Sequence, residues 1–247
     1  EIPGIISPAT CEYYISATDS NNTTAAFPTG APNAGVLDFD IGIVRILGAW
    51  NFDTAGDEGW THGSIGDTTS LADDWQRETP AGDTGTGWTD PSNAYSPSNA
   101  WGTDMGNGTT TSTVNGAYAA NAHMYLRTPV MNASNATGVK LYFKRWLSVQ
   151  ASGSDQARIL VNGTQVYINP TTNFADTSWT SQVIDISSIA DGNPNLQIDW
   201  RLRSNGTTNW GGWNIDDVVV KWIEALPPPC PTPTNYCVGA PNSVGPG

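Results

Sequence analysis

The chain has 247 residues, a formal net charge of −13 and only 10 Lys and Arg residues. Such an excess of negative charge repels phosphate backbones and anionic lipid, which argues against nucleic acid as a partner. Charged residues make up only 13% of the chain, whereas Gly (26) and Pro (17) are abundant. This composition is typical of an extracellular all-β protein with many turns.

Residues 1–44 contain too few strands for a complete domain. Glu12 to Thr18 and Val36 to Val44 each read as a strand, and two or three strands cannot bury a core alone. Their motifs Tyr-Tyr-Ile-Ser-Ala-Thr and Phe-Asp-Ile-Gly resemble the closing strands of an immunoglobulin-like or fibronectin-like domain of bacterial surface proteins. The resemblance implies a partial domain whose missing strands come from upstream residues or from another molecule.

Residues 45–225 read as one β-rich body. Val139 to Val149 and Leu196 to Arg203 alternate apolar with polar residues, as strands with one buried face do. Arg158 to Ile168 predicts a hairpin around Asn162-Gly163, a strong turn signal. Several such strands with polar connections predict two packed antiparallel sheets. Residues 61–120 are rich in loops and are expected to cover one end of this sandwich.

Residues 226–247 form a Pro-rich linker followed by a tail that resembles the opening of another module. Both ends of the chain are therefore expected either to be cuts through a longer multidomain protein or to join subunits. Cys230 and Cys237 could close a small disulfide loop, which leaves Cys11 for a partner outside this chain. No stretch is apolar enough to span a membrane, so membrane insertion is not expected.

Seven Asn-x-Ser/Thr sequons make glycosylation an open prediction, although a chain rich in Asn, Ser and Thr contains several by chance. They lie at Asn21, Asn22, Asn107, Asn132, Asn135, Asn162 and Asn205.

Two matching segments, 51–60 and 211–220, combine a tryptophan, a strand-like run and clustered carboxylates. They predict the first and last strands of the sandwich, meeting at an acidic pocket. Six to eight oxygen ligands suit Ca²⁺, so a structural calcium ion is predicted. Asp216 and Asp217 should point to opposite faces of one strand, which leaves one as a direct ligand. Alternatively, the acids cap turns or pair with Arg201 and Arg203. The candidate ligands are Asp53, Asp57, Glu58, Asp216 and Asp217.

An enzyme is not predicted. The only histidines, His62 and His123, adjoin no nucleophile motif, and no His-Glu-x-x-His zinc pattern occurs. A glycosidase needs two carboxylates that flank the sugar together, whereas the adjacent residues Asp73 and Asp74 project in different directions.

Sugar binding is the more serious functional alternative, because exposed aromatic rings in a cleft can stack on sugars. The same side chains could instead cover the core, and Trp60, Trp146, Trp200 and Trp213 are best interpreted as core residues. The candidate ligand-binding aromatics are Trp75, Trp88, Tyr95, Trp101 and Trp210.

The body of the chain resembles the MAM-like, concanavalin-type jelly-roll domains of bacterial secreted proteins, including the accessory domains of immune inhibitor A-type metallopeptidases. The resemblance implies a non-catalytic jelly roll, often with calcium near its first and last strands. It does not extend to the four cysteines of animal MAM domains. The motifs that carry it are Asn51-Phe-Asp, Gly59-Trp60, Asp74-Trp75, Ser98-Asn-Ala-Trp-Gly-Thr, Tyr125-Leu-Arg-Thr-Pro-Val, Leu141-Tyr-Phe-Lys-Arg-Trp, Val161-Asn-Gly, Trp179-Thr-Ser-Gln-Val-Ile-Asp-Ile and Gly212-Trp-Asn-Ile-Asp-Asp-Val.

The sequence thus predicts a secreted, non-catalytic structural or adhesive module at the cell surface. Its partners would be other copies of itself or adjacent domains of a longer chain. Open strands of residues 1–44 could exchange between copies and build a filament. The alternative function is a carbohydrate-binding accessory domain of a secreted metallopeptidase or another multidomain hydrolase.

Overall fold

The computed structural model describes residues 9–27, 37–106 and 116–225, and the chain divides into two compact units at Ile43 and Val44. In the first unit, β1 (Ala9–Tyr13) pairs antiparallel with β4 (Leu37–Ile41), and β2 (Ile15–Thr18) pairs antiparallel with β3 (Thr24–Phe27). The immunoglobulin-like assignment and the pairing of Cys11, which lies in β1, stay predictions. Cys230, Cys237 and Asn107 lie outside the described residues.

The second unit runs from Val44 to Glu224 and contains two large sheets, a two-stranded ladder and one short helix. Its elements are β5 (Ile43–Trp50), β6 (Thr61–Ser64), β7 (Trp75–Glu78), β8 (Thr84–Gly85), β9 (Trp88–Thr89), β10 (Ala100–Thr103), β11 (His123–Arg127), β12 (Lys140–Val149), β13 (Gln156–Val161), β14 (Thr164–Ile168), β15 (Phe174–Ala175), β16 (Thr180–Asp185), α1 (Ser187–Ala190), β17 (Ile198–Arg203) and β18 (Gly212–Glu224).

The two large sheets have seven and five strands. Sheet A has the order β15-β12-β18-β10-β7, with β16 also on β12 and β5 also on β18. Sheet B has the order β14-β13-β17-β11-β6, and β8 pairs with β9 alone. The all-β sandwich predicted from the alternating strands is confirmed. No helix among the described residues is long and apolar enough to cross a membrane.

The core lies between the two sheets and is held largely by aromatic rings. The Phe143 ring of sheet A meets the Trp200 ring of sheet B edge-on, with their centroids 5.5 Å apart. Trp60 packs on Trp200 with centroids 5.6 Å apart, and Trp213 is fully buried. Each ring removes roughly 200 Å² from water, so these contacts contribute much of the stability.

Local patterns predicted several elements well. β12 begins one residue inside the predicted range, and its Leu141, Phe143 and Leu147 face the core. The hairpin between β13 and β14 turns at Asn162 and Gly163, which have φ of 47° and 83°. Both values match the left-handed conformation that such a tight hairpin requires.

Two elements differ from expectation. Residues 51–60 form no strand, because the strand at this end of the fold is β5, which precedes them. Within the loop-rich region, Ala100–Thr103 is a fully buried strand between β18 and β7. A four-residue strand leaves too short a pattern to be distinguished from a loop.

Candidate functional site: an aromatic surface beside an acidic seam

The acidic residues predicted to meet at the first and last strands hold one loop, residues 95–99. One carboxylate oxygen of Asp53 accepts hydrogen bonds from the backbone N–H groups of Ser98 and Asn99, both at 3.0 Å. Arg77 fixes the Asp53 segment from the other side by donating to the carbonyls of Phe52 (2.6 Å) and Thr54 (2.9 Å). We call Asp53, Asp216 and Asp217 the acidic seam.

A β-bulge brings Asp216 and Asp217 to the same loop. Opposite the single residue Phe143, β18 has two residues, and Asp217 adopts a left-handed φ of 46°. As a result Asp216 accepts from the N–H groups of Tyr95 and Ser96, both at 2.9 Å, while Asp217 accepts from the Ser96 hydroxyl at 2.5 Å. The prediction that the two side chains point to opposite faces is wrong, because a bulge interrupts the period of two.

The carboxylates of the seam accept hydrogen bonds from backbone N–H groups, and Asp53 Oδ2 is left buried without a partner. Burial raises the pKa of Asp216 to about 7, although hydrogen bonds from the Ser96 and Asp217 backbones oppose the shift. Its second oxygen accepts from the Asp217 N–H at 2.7 Å. Among residues 9–27, 37–106 and 116–225, no group of three His, Cys, Asp or Glu side chains is arranged to hold a metal ion.

The other two predicted ligands stay apart from the seam's hydrogen bonds. Glu58 accepts a hydrogen bond from the Thr54 hydroxyl, and Asp57 is exposed. The calcium ion stays a prediction for a chelation test.

Four tryptophans predicted to bind ligand are core residues instead. Trp75, Trp88, Trp101 and Trp210 are only 1 to 7% exposed, so they present little ring surface to solvent, although Trp88 contributes to the wall of the cleft described below. Their burial agrees with the alternative interpretation, in which the loop tryptophans cover the core. Tyr95, at 48% exposure, is the one predicted aromatic ligand that reaches the surface.

Tyr95 belongs to a different aromatic cluster on the outside of sheet A. Its ring lies 6.4 Å from that of Trp179, which lies 6.2 Å from that of Trp146, and both pairs meet nearly at right angles. The Lys144 ammonium lies 4.2 Å above the Tyr95 ring and donates to the Ser181 hydroxyl at 2.8 Å. We call Tyr95, Lys144, Trp146 and Trp179 the aromatic surface.

Hydrogen bonds from both indoles fix the aromatic surface in place. Trp146 Nε1 donates to the carbonyl of Thr89 at 2.7 Å, and Trp179 Nε1 donates to that of Asn93 at 3.1 Å. With their only polar atoms satisfied, the two half-buried rings are presented as rigid apolar faces. Beside them lies a cleft of about 310 Å³ that contains Thr89, Asp176 and Thr177.

The prediction that Trp146 is a core residue is wrong, and the sequence held the signal that shows it. Trp146 shares its position in the strand alternation with Lys140 and Lys144, on the outward face of β12. Trp60, Trp200 and Trp213 are buried as predicted. Trp179 precedes a short strand and carried no such signal.

Both histidines are engaged in structural hydrogen bonds. His123 Nδ1 lies 2.7 Å from Asp67 and Nε2 lies 3.1 Å from an Arg158 nitrogen, so both ring nitrogens are used. His62 Nδ1 lies 2.8 Å from Asp73, and this contact raises the pKa of His62. Neither arrangement includes a nucleophile.

The Asn side chains of the described sequons differ in their exposure and in their hydrogen bonds. Asn21, Asn22, Asn132 and Asn135 are exposed. The Asn162 amide donates to the carbonyl of Asn195 at 2.8 Å, which a glycan would disrupt. Asn205 is half-buried in a cleft of sheet B.

No protein-family model matches the sequence. The chain is 29% identical over 138 residues to bacillopeptidase F of Bacillus subtilis (strain 168), a match that covers 53% of this chain and 9% of that protein. The chain therefore spans less than a tenth of the length of that relative.

Similar solved structures come from several kinds of protein. The K1 cleaved adhesin domain of Lys-gingipain from Porphyromonas gingivalis W83 is 13% identical, with a TM-score of 0.46 over 74% of this chain and 100% of that one. A family 35 carbohydrate binding module from Clostridium thermocellum is 18% identical, with a TM-score of 0.29 over 65% and 96%. A cyclase from Fischerella sp. TAU is 11% identical, with a TM-score of 0.36 over 72% and 97%. With TM-scores below 0.5, these likenesses transfer neither ligands nor activities to this chain.

Proposed function

We propose that this chain is a non-catalytic, extracellular glycan-binding module of the MAM-like kind, and that the aromatic surface is its binding site. The observation that carries the proposal is the pair of half-buried indoles, Trp146 and Trp179, whose N–H groups are already satisfied by backbone carbonyls. Apolar ring faces that are fixed and open to water are what sugar stacking requires.

The angles between the rings narrow the class of glycan. Tyr95 and Trp146 each stand about perpendicular to Trp179, at 72° and 78°. Rings in this arrangement cannot all lie against one flat polymer surface. They suit successive sugars of a single soluble chain, which are turned relative to each other, with the adjoining cleft taking a branch or an end.

Polar groups beside the rings would fix the orientation of the sugar. Asp176 and Thr177 line the cleft, and a carboxylate and a hydroxyl are suitable partners for sugar hydroxyls. Asp176 is itself held by Arg145, with N–O distances of 2.9 and 3.1 Å, so it is positioned before a ligand arrives. The use of both His123 nitrogens by structural partners supports a non-catalytic role.

A screen of immobilised neutral glycans, followed by calorimetry on the best oligosaccharide, tests the proposal. We expect Trp146→Ala and Trp179→Ala each to weaken binding by about tenfold or more, as for a buried aromatic anchor. Tyr14→Ala, which removes a 45% exposed ring from the other unit, is the matched control. The proposal is overturned if both variants bind as well as the wild type, or if the wild type binds no glycan. Trp75→Ala and Trp101→Ala cannot serve, because those buried rings support the fold.

Strand exchange by residues 1–44 is a separate proposal, favoured by one observation. Ile15 and Phe27 lie opposite each other in the β2–β3 ladder and are 60% and 61% exposed. An added strand or a second copy would cover this pair. Sedimentation equilibrium should then show reversible association that Ile15→Thr weakens and Leu71→Thr, at a 73% exposed site in the other unit, does not. A monomer at every concentration would refute self-association.

A further inference from the structure

The outer face of sheet B collects positive charge in a chain that is otherwise strongly acidic. Four of the 10 Lys and Arg residues lie on three neighbouring strands of this sheet. Arg158 of β13 is opposite Arg201 of β17, which is opposite Tyr125 of β11. The set is Arg127, Arg158, Arg201 and Arg203, and we call it the arginine face.

Carboxylates of the protein neutralise only half of this face. Asp199 binds both Arg127 and Arg201, with its closest N–O distances at 2.6 and 2.8 Å. In the described residues, Arg158 and Arg203 form no ion pair within 4 Å. Arg158 Nε is moreover buried without a hydrogen-bond partner. Two guanidinium groups are thus left with unused donors on one face.

The like charges on this face affect each other. Burial, followed by the charges of Arg201 and Arg203, lowers the pKa of Arg158. Its link to His123 is neutral, since the ring nitrogen at 3.1 Å must accept the guanidinium proton while Nδ1 donates to Asp67. A bound anion would relieve this repulsion.

Two clefts open along the face, one at each end of β17. The larger, about 390 Å³, contains Arg203 together with hydroxyl and amide side chains that include Thr68, Gln156 and Asn205. The Asp67 carboxylate also lines this cleft, where its hydrogen bond to His123 Nδ1 occupies one of its oxygens. The smaller, about 210 Å³, contains Arg127 and Arg201. Gln197 lines the smaller cleft and Asn205 the larger one. They are eight residues apart along extended chain, so the two clefts are separated by roughly 26 Å.

The lining of the larger cleft identifies a ligand class. Its side chains are polar, so they suit a hydroxyl-rich molecule better than an apolar one. Tyr125 adds a half-buried ring beside Arg127, whose guanidinium carbon lies 5.1 Å from the ring centroid. Gly63, opposite Tyr125, leaves that ring uncrowded, since a Cβ there would lie 3.3 Å from it.

We propose that the arginine face is a second binding site, which takes an acidic polysaccharide along β17 with one of its acidic groups on Arg203. A carboxylate and a sulfate group each carry a negative charge and can each present two oxygens to the paired N–H donors of a guanidinium group. The net charge of −13 does not prevent this, because at physiological salt charges more than about 8 Å away are largely screened.

The test is calorimetry with oligogalacturonate and with a chondroitin sulfate oligosaccharide, each against neutral dextran. We expect binding of at least one acidic ligand, no comparable binding of dextran, and a loss of about tenfold in Arg203→Gln. Arg45→Gln is the matched control, because it removes the same charge from the exposed Arg45–Glu224 pair of sheet A. Which acidic ligand binds distinguishes a carboxylate site from a sulfate site.

Two further readouts separate this site from the aromatic surface. Trp146→Ala should leave acidic-polymer binding unchanged, and Arg203→Gln should leave neutral-glycan binding unchanged. Raising the salt concentration should weaken the binding of the acidic ligand and leave the binding of the neutral glycan unchanged. Equal losses in Arg203→Gln and Arg45→Gln, binding of neither acidic ligand, or preferential binding of single-stranded DNA would overturn the proposal.

Discussion

Asp53→Ala should destabilise the second unit measurably, since Asp53 holds one end of the 95–99 loop. The substitution removes two charge-assisted hydrogen bonds of 3.0 Å, to the N–H groups of Ser98 and Asn99. Such bonds contribute about 1.5–3 kcal/mol each when buried. Because Asp53 is only half-buried, the lower end of that range and some rehydration of the loop apply. We expect a loss of about 2 kcal/mol in the free energy of unfolding.

The measurement is thermal and urea unfolding of the whole chain. For a unit of this size, about 2 kcal/mol corresponds to a fall in Tm of roughly 4–8 °C. Asp53→Asn should lose less, because its amide oxygen still accepts from the same two N–H groups. Asp57→Ala is the control. It removes an exposed carboxylate from the same segment and should change stability by about 0.5 kcal/mol or less.

Two results would refute this reasoning. If Asp53→Ala and Asp57→Ala are equally stable, the Asp53 carboxylate does not hold the loop. If excess EDTA lowers the Tm of the wild type but not that of Asp53→Ala, the carboxylate binds a cation rather than N–H donors.

Three further predictions concern buried charge and metal. EDTA should leave the Tm of the wild type unchanged, because both Asp216 oxygens and one oxygen each of Asp53 and Asp217 already accept from N–H or O–H donors. The one seam oxygen that is buried without a partner, Asp53 Oδ2, is too few for the six to eight ligands of Ca²⁺. Arg145→Met should lower the free energy of unfolding, measured in urea, by about 3 kcal/mol or more, because it leaves the buried Asp176 carboxylate without its ion-pair partner. The control Arg45→Met breaks an exposed ion pair and should lower it by about 1 kcal/mol or less. Burial raises the pKa of Asp90 well above its usual value, opposed by the Asn214 hydrogen bond and assisted by the charges of Asp83 and Asp104. Asp90 therefore stabilises the fold at low pH, and this contribution is lost as the pH rises through its folded-state pKa. Asp90→Asn should flatten the pH dependence of stability above about pH 4. At alkaline pH the variant should be no less stable than the wild type.

The parts of the fold that the sequence predicts are those governed by local periodicity. β12 and the β13–β14 hairpin follow from alternation and from Asn162-Gly163, and neither needs information from distant residues. The bulge at Asp217 does not follow, because a left-handed φ at an aspartate has no strong signal. The bulge brings the carboxylates of Asp216 and Asp217 to the same loop, and this determines which residues form the seam.

The candidate site was harder to predict because burial of a tryptophan depends on what crosses over it. Trp101 lies in a polar, loop-rich stretch and Trp146 in a regular strand, yet the first is 1% exposed and the second is half-buried on an outer face. Strand parity identifies Trp146, since it alternates with the core residue Leu147. Parity cannot identify Trp179, whose position is fixed by a hydrogen bond to Asn93, 86 residues earlier in the chain.

The acidic seam and the aromatic surface are connected through a single stretch of chain. Thr89 and Asn93 accept the indole N–H groups of Trp146 and Trp179, and the Tyr95 backbone is held by Asp216. One loop therefore positions all three rings, and the carboxylates at its far end determine where it runs. In the proposed binding site the clustered acids would act without touching a ligand, because they keep Tyr95 at its angle to Trp179. An acidic cluster at a strand end can thus be part of a recognition site as an acceptor of backbone N–H groups.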